Sequence, residues 1–223
     1  MNHAIAIAID GPSAAGKSSI ARHLAEILGF LYVDTGALYR TIGYYAHSRV
    51  TDTKDAAQVV PLLAAIDIKL KYVGGIQRML LNGEDVTEEI RLPEMSMAAS
   101  NVSAIPDVRD FLLELQRSLA RENNVVMDGR DIGTVVLPRA EIKFFLTATP
   151  EARAHRRYLE YQSKGQQVSY DAVLAEILQR DYNDSNRATA PLKQAEDAIL
   201  IDSTSMTLED TLGRMTAIAK EKL

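Results

Sequence analysis

Ala4-Ile5-Ala6-Ile7-Ala8-Ile9 is an unbroken apolar run with isoleucine at every second position, the pattern of a strand buried on both faces of a parallel sheet. Ile20, Leu24, Ile27 and Leu28 then recur at i, i+4, i+7 and i+8, which predicts a helix that Gly29 can end. The alternation continues. Phe30-Leu31-Tyr32-Val33 predicts a second strand, followed by helical stretches from about Ala37 and through Gln58, Leu62, Leu63 and Ile66. After Pro106, the positions Val108, Phe111, Leu112, Leu115 and Leu119 again share one helical face. Val125-Val126-Met127, Ile142-Lys143-Phe144-Phe145-Leu146 and Ala198-Ile199-Leu200-Ile201 complete five buried strands; Pro150 opens an arginine-rich helix, and Leu208, Leu212, Met215 and Ile218 mark the last one. Strands alternating with helices in this way predict an α/β fold built on a five-stranded parallel sheet flanked by helices.

One stretch breaks the period. In Ile68-Lys69-Leu70-Lys71-Tyr72 apolar and charged residues alternate, as in a strand with one wet face. Gly74-Gly75 turns the chain into Ile76–Leu81, and Asn82-Gly83 is a further hairpin signal before a short piece around Val86. Three antiparallel strands do not belong inside a parallel sheet, so about 67–100 is expected to be a small antiparallel β insert within a single domain spanning 1–223.

Between the first strand and helix lies Gly11-Pro12-Ser13-Ala14-Ala15-Gly16-Lys17-Ser18, two glycines five apart followed by Lys and Ser. With a strand before it and a helix after it, this is a phosphate-binding loop. Inward-turned backbone N–H groups and the positive helix end seat a polyphosphate, Lys17 reaches the β- and γ-phosphates, and the Ser18 hydroxyl is placed to ligate Mg²⁺. Asp128 ends a strand parallel to the loop strand, the usual position for an acid that organises Mg²⁺ and its waters; the polarity ordinary at strand ends explains it equally simply.

A chain of 223 residues can bury a full core as one domain. A formal net charge of −5 disfavours a nucleic-acid scaffold, so small substrates are expected. The absence of cysteine excludes disulfides, thiolate metal sites and cysteine nucleophiles. No apolar run reaches the roughly 18 residues needed to span a bilayer, and the chain starts directly with a core strand, so a cytoplasmic location is expected. His3, His23, His47 and His155 lack the spacing of metal or nucleophilic sites.

The arginines carry the remaining signal. In a helix from about Ser169 to Asn186, with Ser169 as N-cap and Val173, Leu174, Ile177 and Leu178 as its apolar stripe, Arg180, Asp184 and Arg187 fall within about 40° of the Val173–Ile177 ridge. An inward Arg, Asp, Arg row needs partners: an anionic ligand would supply them, and so would ion pairing of Asp184 with its neighbours at i−4 and i+3. Arg130 lies beyond a strand's carboxyl end, on the crevice side, as Asp34, Thr35, Tyr39 and Arg40 do after the second strand. Arg153, Arg156 and Arg157 share a face and repel one another, which predicts a segment of marginal stability, either a lid that closes on polyphosphate or a solvated basic face.

With these residues in place the chain resembles the bacterial cytidylate kinase family of nucleoside monophosphate kinases over nearly its whole length. The resemblance rests on Ile9–Ser18, on Asp34-Thr35-Gly36-Ala37-Leu38-Tyr39-Arg40, on Asp128-Gly129-Arg130-Asp131-Ile132-Gly133-Thr134, on Ala154-His155-Arg156-Arg157, on Arg180-Asp181 through Asn186-Arg187-Ala188, and on Ala190-Pro191-Leu192. Thr35 stands where the family often has Ser. The resemblance implies a P-loop kinase fold with a helical lid at 151–168 and a nucleoside-monophosphate region at 37–100. It implies Mg²⁺ and ATP-dependent phosphorylation of CMP, and of dCMP, by a cytoplasmic monomer that binds neither nucleic acid nor membrane. ATP contacts fall to Gly11, Pro12, Ser13, Ala14, Ala15, Gly16, Lys17, Ser18, Ser19, Arg153 and Arg157, and Mg²⁺ to Ser18 and Asp128. Thr35, Tyr39, Arg40, Arg130 and Arg187 fall to the acceptor, its phosphate taken by the three arginines; Arg180 and Asp184 fall to the sugar, and Ser100, Arg109 and Asp131 to cytosine. Lys17, Arg130, Arg157 and Arg187 are then the catalytic groups.

Chemistry agrees with that implication. A phosphate monoester with a second pKa of about 6 is already ionised and acts as its own nucleophile, so no general base is required. Cytosine offers an amino donor beside ring acceptors, which suits Asp131 and Ser100 as acceptors and Arg109 as donor; uracil presents the reverse edge. A kinase for a hydroxyl acceptor would need a base, and only Asp34 or Asp128 is offered. A nucleotide switch would need a guanine-reading Asn-Lys-x-Asp, which the sequence does not contain.

Overall fold

The computed structural model describes residues 4–50 and 52–223. His3 lies outside the described residues. The chain runs β1 (Ala6–Asp10), α1 (Lys17–Leu28), β2 (Leu31–Asp34), α2 (Thr35–His47), α3 (Ala56–Val59), β3 (Ile68–Val73), β4 (Ile76–Leu81), β5 (Glu84–Asp85), α4 (Glu94–Ser103), α5 (Pro106–Glu122), β6 (Val125–Gly129), β7 (Ile142–Thr147), α6 (Pro150–Ser163), α7 (Tyr170–Asn186), β8 (Ile199–Asp202) and α8 (Leu208–Lys222). Two compact units result: one up to Tyr32 and from Glu122 to Leu223, the other Val33–Arg121, with the boundary inside β2.

The five-stranded sheet has the order β2-β6-β1-β7-β8. The loop strand is central, parallel to β6 on one side and to β7 on the other, and all five of its residues are buried, as the two-faced apolar run requires. Parallel pairing brings the carboxyl ends Asp10, Gly129, Thr147 and Asp202 to one edge. Ile7, Ile9, Ile20, Leu24, Phe144 and Met215 form the core of this unit. Ile27, on the predicted face of α1, stands exposed in its last turn. In α7, Ser169 caps the helix by accepting from the Ala172 N–H, and Val173 and Ile177 pack with Ala154 and Tyr161 of α6.

The second unit has its own core of Leu38, Ile42, Val59, Met79, Ile90, Val102 and Leu112. Its β3-β4-β5 sheet is antiparallel, with Ile68 opposite Leu81 and Val73 opposite Ile76. Both connections are two-residue turns with two positive φ angles, 59° and 79° at Gly74-Gly75 and 51° and 88° at Asn82-Gly83, which is why these dipeptides mark them. The helix expected through Ile66 is instead α3 followed by a 3₁₀ turn, Val60–Ala65. Pro61 has no N–H to continue an α-helical ladder. Phe111, on the predicted face of α5, is also exposed, whereas Val108 and Leu112 are fully buried.

Candidate active site

The phosphate loop leaves β1 in a curl that only glycine can begin. Gly11 has φ 150° and passes so close to β7 that a Cβ would lie 1.9 Å from the Leu146 carbonyl oxygen. Ala14 adopts φ 58°, a left-handed conformation that costs a non-glycine residue of order 1 kcal/mol, and the surrounding packing holds it there. Helix α1 starts at Lys17 with no capping side chain and no acid in its first turn, so its N-terminal N–H groups remain available to an anion. Lys17 is buried and its Nζ donates to the Pro12 carbonyl at 2.7 Å. Burial, and then the charge of Arg130, hold its ammonium well below the ordinary lysine range. An arriving polyanion restores what burial removes.

Ser18 donates its hydroxyl proton to Asp128 Oδ2 at 3.0 Å, and Tyr32 donates to Oδ1 of the same carboxylate, also at 3.0 Å. A hydroxyl and a buried carboxylate side by side are hard oxygen donors of the kind Mg²⁺ takes alongside waters and substrate phosphates. They would be two protein ligands of an otherwise water- and phosphate-coordinated ion: among the described residues no group of three or more His, Cys, Asp or Glu could hold a metal by itself. The second contact, Tyr32, had no sequence signal beyond its place on a strand.

Arg153 is buried, and its guanidinium is spent on protein. Its Nε donates to the Ala148 carbonyl at 2.9 Å, its Nη1 to the Ser13 carbonyl and to Asp181 Oδ1, both at 3.0 Å, and its Nη2 to Asp181 Oδ2 at 2.5 Å. Arg156 turns the other way and donates to the Ser203 hydroxyl at 3.1 Å. Arg157 lies over the Tyr161 ring with its guanidinium 5.7 Å from the centroid, 3.7 Å from Glu160, and is more solvent-accessible than Arg153. The three long side chains, rooted on one face of α6, thus diverge to separate partners. Beside the loop, Gly16, Ile20, Arg156, Ser203, Met206 and Leu208 line a cavity of about 280 Å³.

The inward row of α7 is as the spacing predicts. Asp184 is buried; Arg130 Nε donates to its Oδ2 at 2.8 Å, and Arg180 Nε lies 3.9 Å from the same oxygen. Arg180 also donates from Nη1 to the Ser13 hydroxyl at 3.2 Å, tying α7 to the loop. Arg187, just past the helix, reaches Asp131 Oδ1 at 3.5 Å and donates from Nε to the Ala190 carbonyl at 2.8 Å. Burial alone would raise the Asp184 pKa, but the charges of Arg130, Arg180 and Arg187 hold it below the usual carboxylate value. Arg130, Arg180 and Arg187 are thus gathered around the buried carboxylates of Asp184 and Asp131. Of the two expectations for the row, the ion pairing is present: Asp184 faces Arg180 at i−4 as well as Arg130.

The second unit holds Thr35, Tyr39, Arg40, Ser100 and Arg109 in two groups. At the start of α2, Asp34 caps the helix by accepting from the Ala37 N–H at 2.9 Å, and Thr35 is buried in the first turn. Asp34 also accepts from Arg40 at 3.0 Å and from Arg91 at 2.7 Å. Its backbone N–H donates to Gln77 Oε1 at 2.9 Å. Burial opposes ionisation of Asp34, yet Arg40 and Arg91 keep its pKa below the usual value. In the other group the Arg109 guanidinium lies 5.4 Å from the Tyr39 ring centroid and its Nη1 donates to the Ser103 carbonyl at 3.2 Å, while Ser103 donates its hydroxyl proton to the Ser100 carbonyl at 2.9 Å. Arg91 and Gln77 went unnoticed in the sequence. Gln77 sits on a half-wet strand and Arg91 in a short 3₁₀ turn, Glu89–Arg91, where periodicity carries no information.

A family model described as cytidylate kinase matches residues 7–221. The cytidylate kinase of Caldicellulosiruptor saccharolyticus is 52% identical over 211 residues, covering 95% of this chain and 93% of its own length. That of Syntrophotalea carbinolica is 48% identical over 222 residues, covering 100% and 94%. Among solved structures, an uncharacterized protein from Eubacterium ventriosum is similar with a TM-score of 0.53 at 12% identity, covering 97% of this chain and 98% of that chain, a likeness of fold alone.

Proposed function

The chain belongs to the cytidylate kinase family, and on that premise we propose that it transfers the γ-phosphoryl group of ATP to the phosphate of CMP, and of dCMP, with Mg²⁺. The observation that carries the reading is the gathering of Arg130, Arg180 and Arg187 around the buried carboxylates of Asp184 and Asp131, beside a phosphate loop whose lysine is buried.

The acceptor phosphate brings its own nucleophilic oxygen, so the residues need only align two polyanions and neutralise the charge that builds between them. Lys17, with the N–H groups of the loop and of Ser18 and Ser19, takes the donor phosphates, and Arg157 adds charge from α6. Ser18 and Asp128 would hold Mg²⁺, which would supply positive charge to the donor phosphates. Arg40, Arg130 and Arg187 take the acceptor phosphate. Arg180 and Asp184 bind the sugar hydroxyls, Thr35 and Tyr39 support the nucleotide, and Ser100, Arg109 and Asp131 read the cytosine edge. Residues 37–100 serve as the nucleoside-monophosphate region and 151–168 as the lid, in a cytoplasmic monomer. Arg153 belongs with the ATP groups through the Ser13 carbonyl it holds, as its buried position allows no freer role. No helix among the described residues is long and apolar enough to cross a membrane.

A panel of CMP, dCMP, UMP, AMP, GMP and shikimate, each with Mg-ATP, tests this directly. CMP and dCMP should be turned over fastest. Preference for shikimate or a purine nucleotide would overturn the reading.

A further inference from the structure

Asp10 ends β1 one residue before the loop begins, and its carboxylate is turned away from solvent. Oδ1 accepts the N–H of Ile132 at 2.8 Å and Oδ2 accepts the N–H of Gly133 at 2.7 Å, both buried bonds. These two N–H groups open the π-helical turn Ile132–Val136, whose own preceding residue, Asp131, makes no capping bond to it. The turn is therefore capped by a carboxylate from the far end of the chain. The same residue's backbone stands in register with Gly129 in the β1–β6 ladder. Arg130 and Asp131 lie between those two points, so Asp10 grips the corner that carries them from both sides.

We infer that Asp10 is a positioning residue for the acceptor: it fixes the Arg130-Asp131 corner relative to Gly11, and so relative to the phosphate loop. The inference rests on the proposed assignment of Arg130 and Asp131 to the acceptor nucleotide. A carboxylate is required by the bonding pattern, because an amide would set one acceptor and one donor against two N–H donors. Displacing a positioned catalytic group by about 1 Å costs on the order of 100-fold, which makes two buried hydrogen bonds a sufficient lever.

The test is Asp10→Asn in the full-length enzyme, with kcat and both Michaelis constants measured using the acceptor that the parent turns over best. The acceptor's kcat/KM should fall by about 10- to 100-fold with KM for ATP within about twofold of the parent, the split expected when only the acceptor corner moves. Parental constants for the acceptor, or equal loss in both Michaelis constants, would overturn the inference. Should Asp10→Asn fail to fold, Gly133→Ala probes the same bond, since its Cβ would stand 3.3 Å from Asp10 Oδ2 and 3.1 Å from Lys143 Cδ. It too should weaken the acceptor constant selectively, and parental behaviour would count against Asp10. A parent that prefers a nucleotide other than CMP refutes the cytidylate reading separately and leaves the effect at Asp10 readable.

Discussion

Arg130 and Asp184 meet through a 2.8 Å hydrogen bond from Nε to Oδ2, which joins the end of β6 to α7, while Arg130 Nη1 donates to the Gly129 carbonyl. Because Arg180 approaches the same carboxylate oxygen, Asp184 is the counter-charge around which two arginines are held apart. Removing it leaves two half-buried guanidiniums facing one another. Asp184→Ala should lose about 3–5 kcal/mol of stability, as expected when one partner of a buried ion pair is deleted. Turnover of CMP should fall by on the order of 100-fold as the arginines drift. Inorganic phosphate should raise the melting temperature of the variant more than that of the parent, because it supplies the missing negative charge. Equal shifts in a thermal melt would mean that the arginines remain balanced without Asp184.

Asp131 is buried, and Arg187 lies 3.5 Å away. In the proposed complex its carboxylate accepts from the cytosine amino group, and UMP would place a carbonyl oxygen there instead. Repulsion between two acceptors, added to the lost bond, is the kind of mismatch that separates close analogues by several orders of magnitude. Asp131→Asn, which can turn an amide donor toward uracil, should cut kcat/KM for CMP by about 100-fold or more and narrow the CMP-to-UMP ratio. An unchanged ratio assigns base recognition to other groups. Parallel assays with both nucleotides decide it.

The carboxylates of the site divide by pH response. Burial is the main reason the Asp10 pKa is raised to about 6; the Gly133 and Ile132 N–H groups and the Lys17 charge pull it down, and Asp131 pushes it further up. A carboxylate with a raised folded-state pKa binds its proton more tightly in the native protein than in the unfolded one. Its contribution to stability is therefore fully present below 3.8 and is lost as pH rises through about 6, by about 3 kcal/mol in total. Asp34 and Asp184 have lowered values, so their stabilisation is present above 3.8 and disappears as pH falls below it. Between pH 5 and 7.5 only Asp10 of these three changes charge. The melting-temperature difference between Asp10→Asn and the parent should consequently move in the variant's favour by several degrees over that range. A gap that does not change with pH would show that Asp10 is already ionised at pH 5.

What could be read from sequence depended on how local the cause was. The strand, loop and helix around Lys17 are contiguous, and their hydrophobic pattern is complete within about thirty residues. The inward row of α7 follows from helical period alone, because Cβ direction at Asp184 is set by the stripe through Val173 and Ile177. Arg153 escaped that treatment: the period places its Cβ, but several rotatable bonds decide whether its guanidinium reaches a ligand or Asp181. Asp10 and Ile132, Tyr32 and Asp128, and Asp34 and Arg91 are joined only by tertiary packing, across separations of 122, 96 and 57 residues. No spacing rule reaches that far.

Arg153 and Asp181 supply the last prediction. The pair is bidentate, and Arg153 connects α6, α7 and the Ser13 carbonyl of the loop. Deleting the guanidinium leaves Asp181 without its main partner and the loop carbonyl without a donor. Arg153→Ala should therefore cost about 3–5 kcal/mol of stability. Arg153→Lys should recover only part of it, since an ammonium cannot reproduce the fork that serves four acceptors. In both variants KM for ATP should rise more than KM for CMP, because the strained Ala14 curl next to Ser13 belongs to the donor side. A double-mutant cycle with Asp181→Ala should return a coupling of about 1–3 kcal/mol. Additive losses would make Arg153 a packing residue, and a selective rise in KM for CMP would move the strut to the acceptor side.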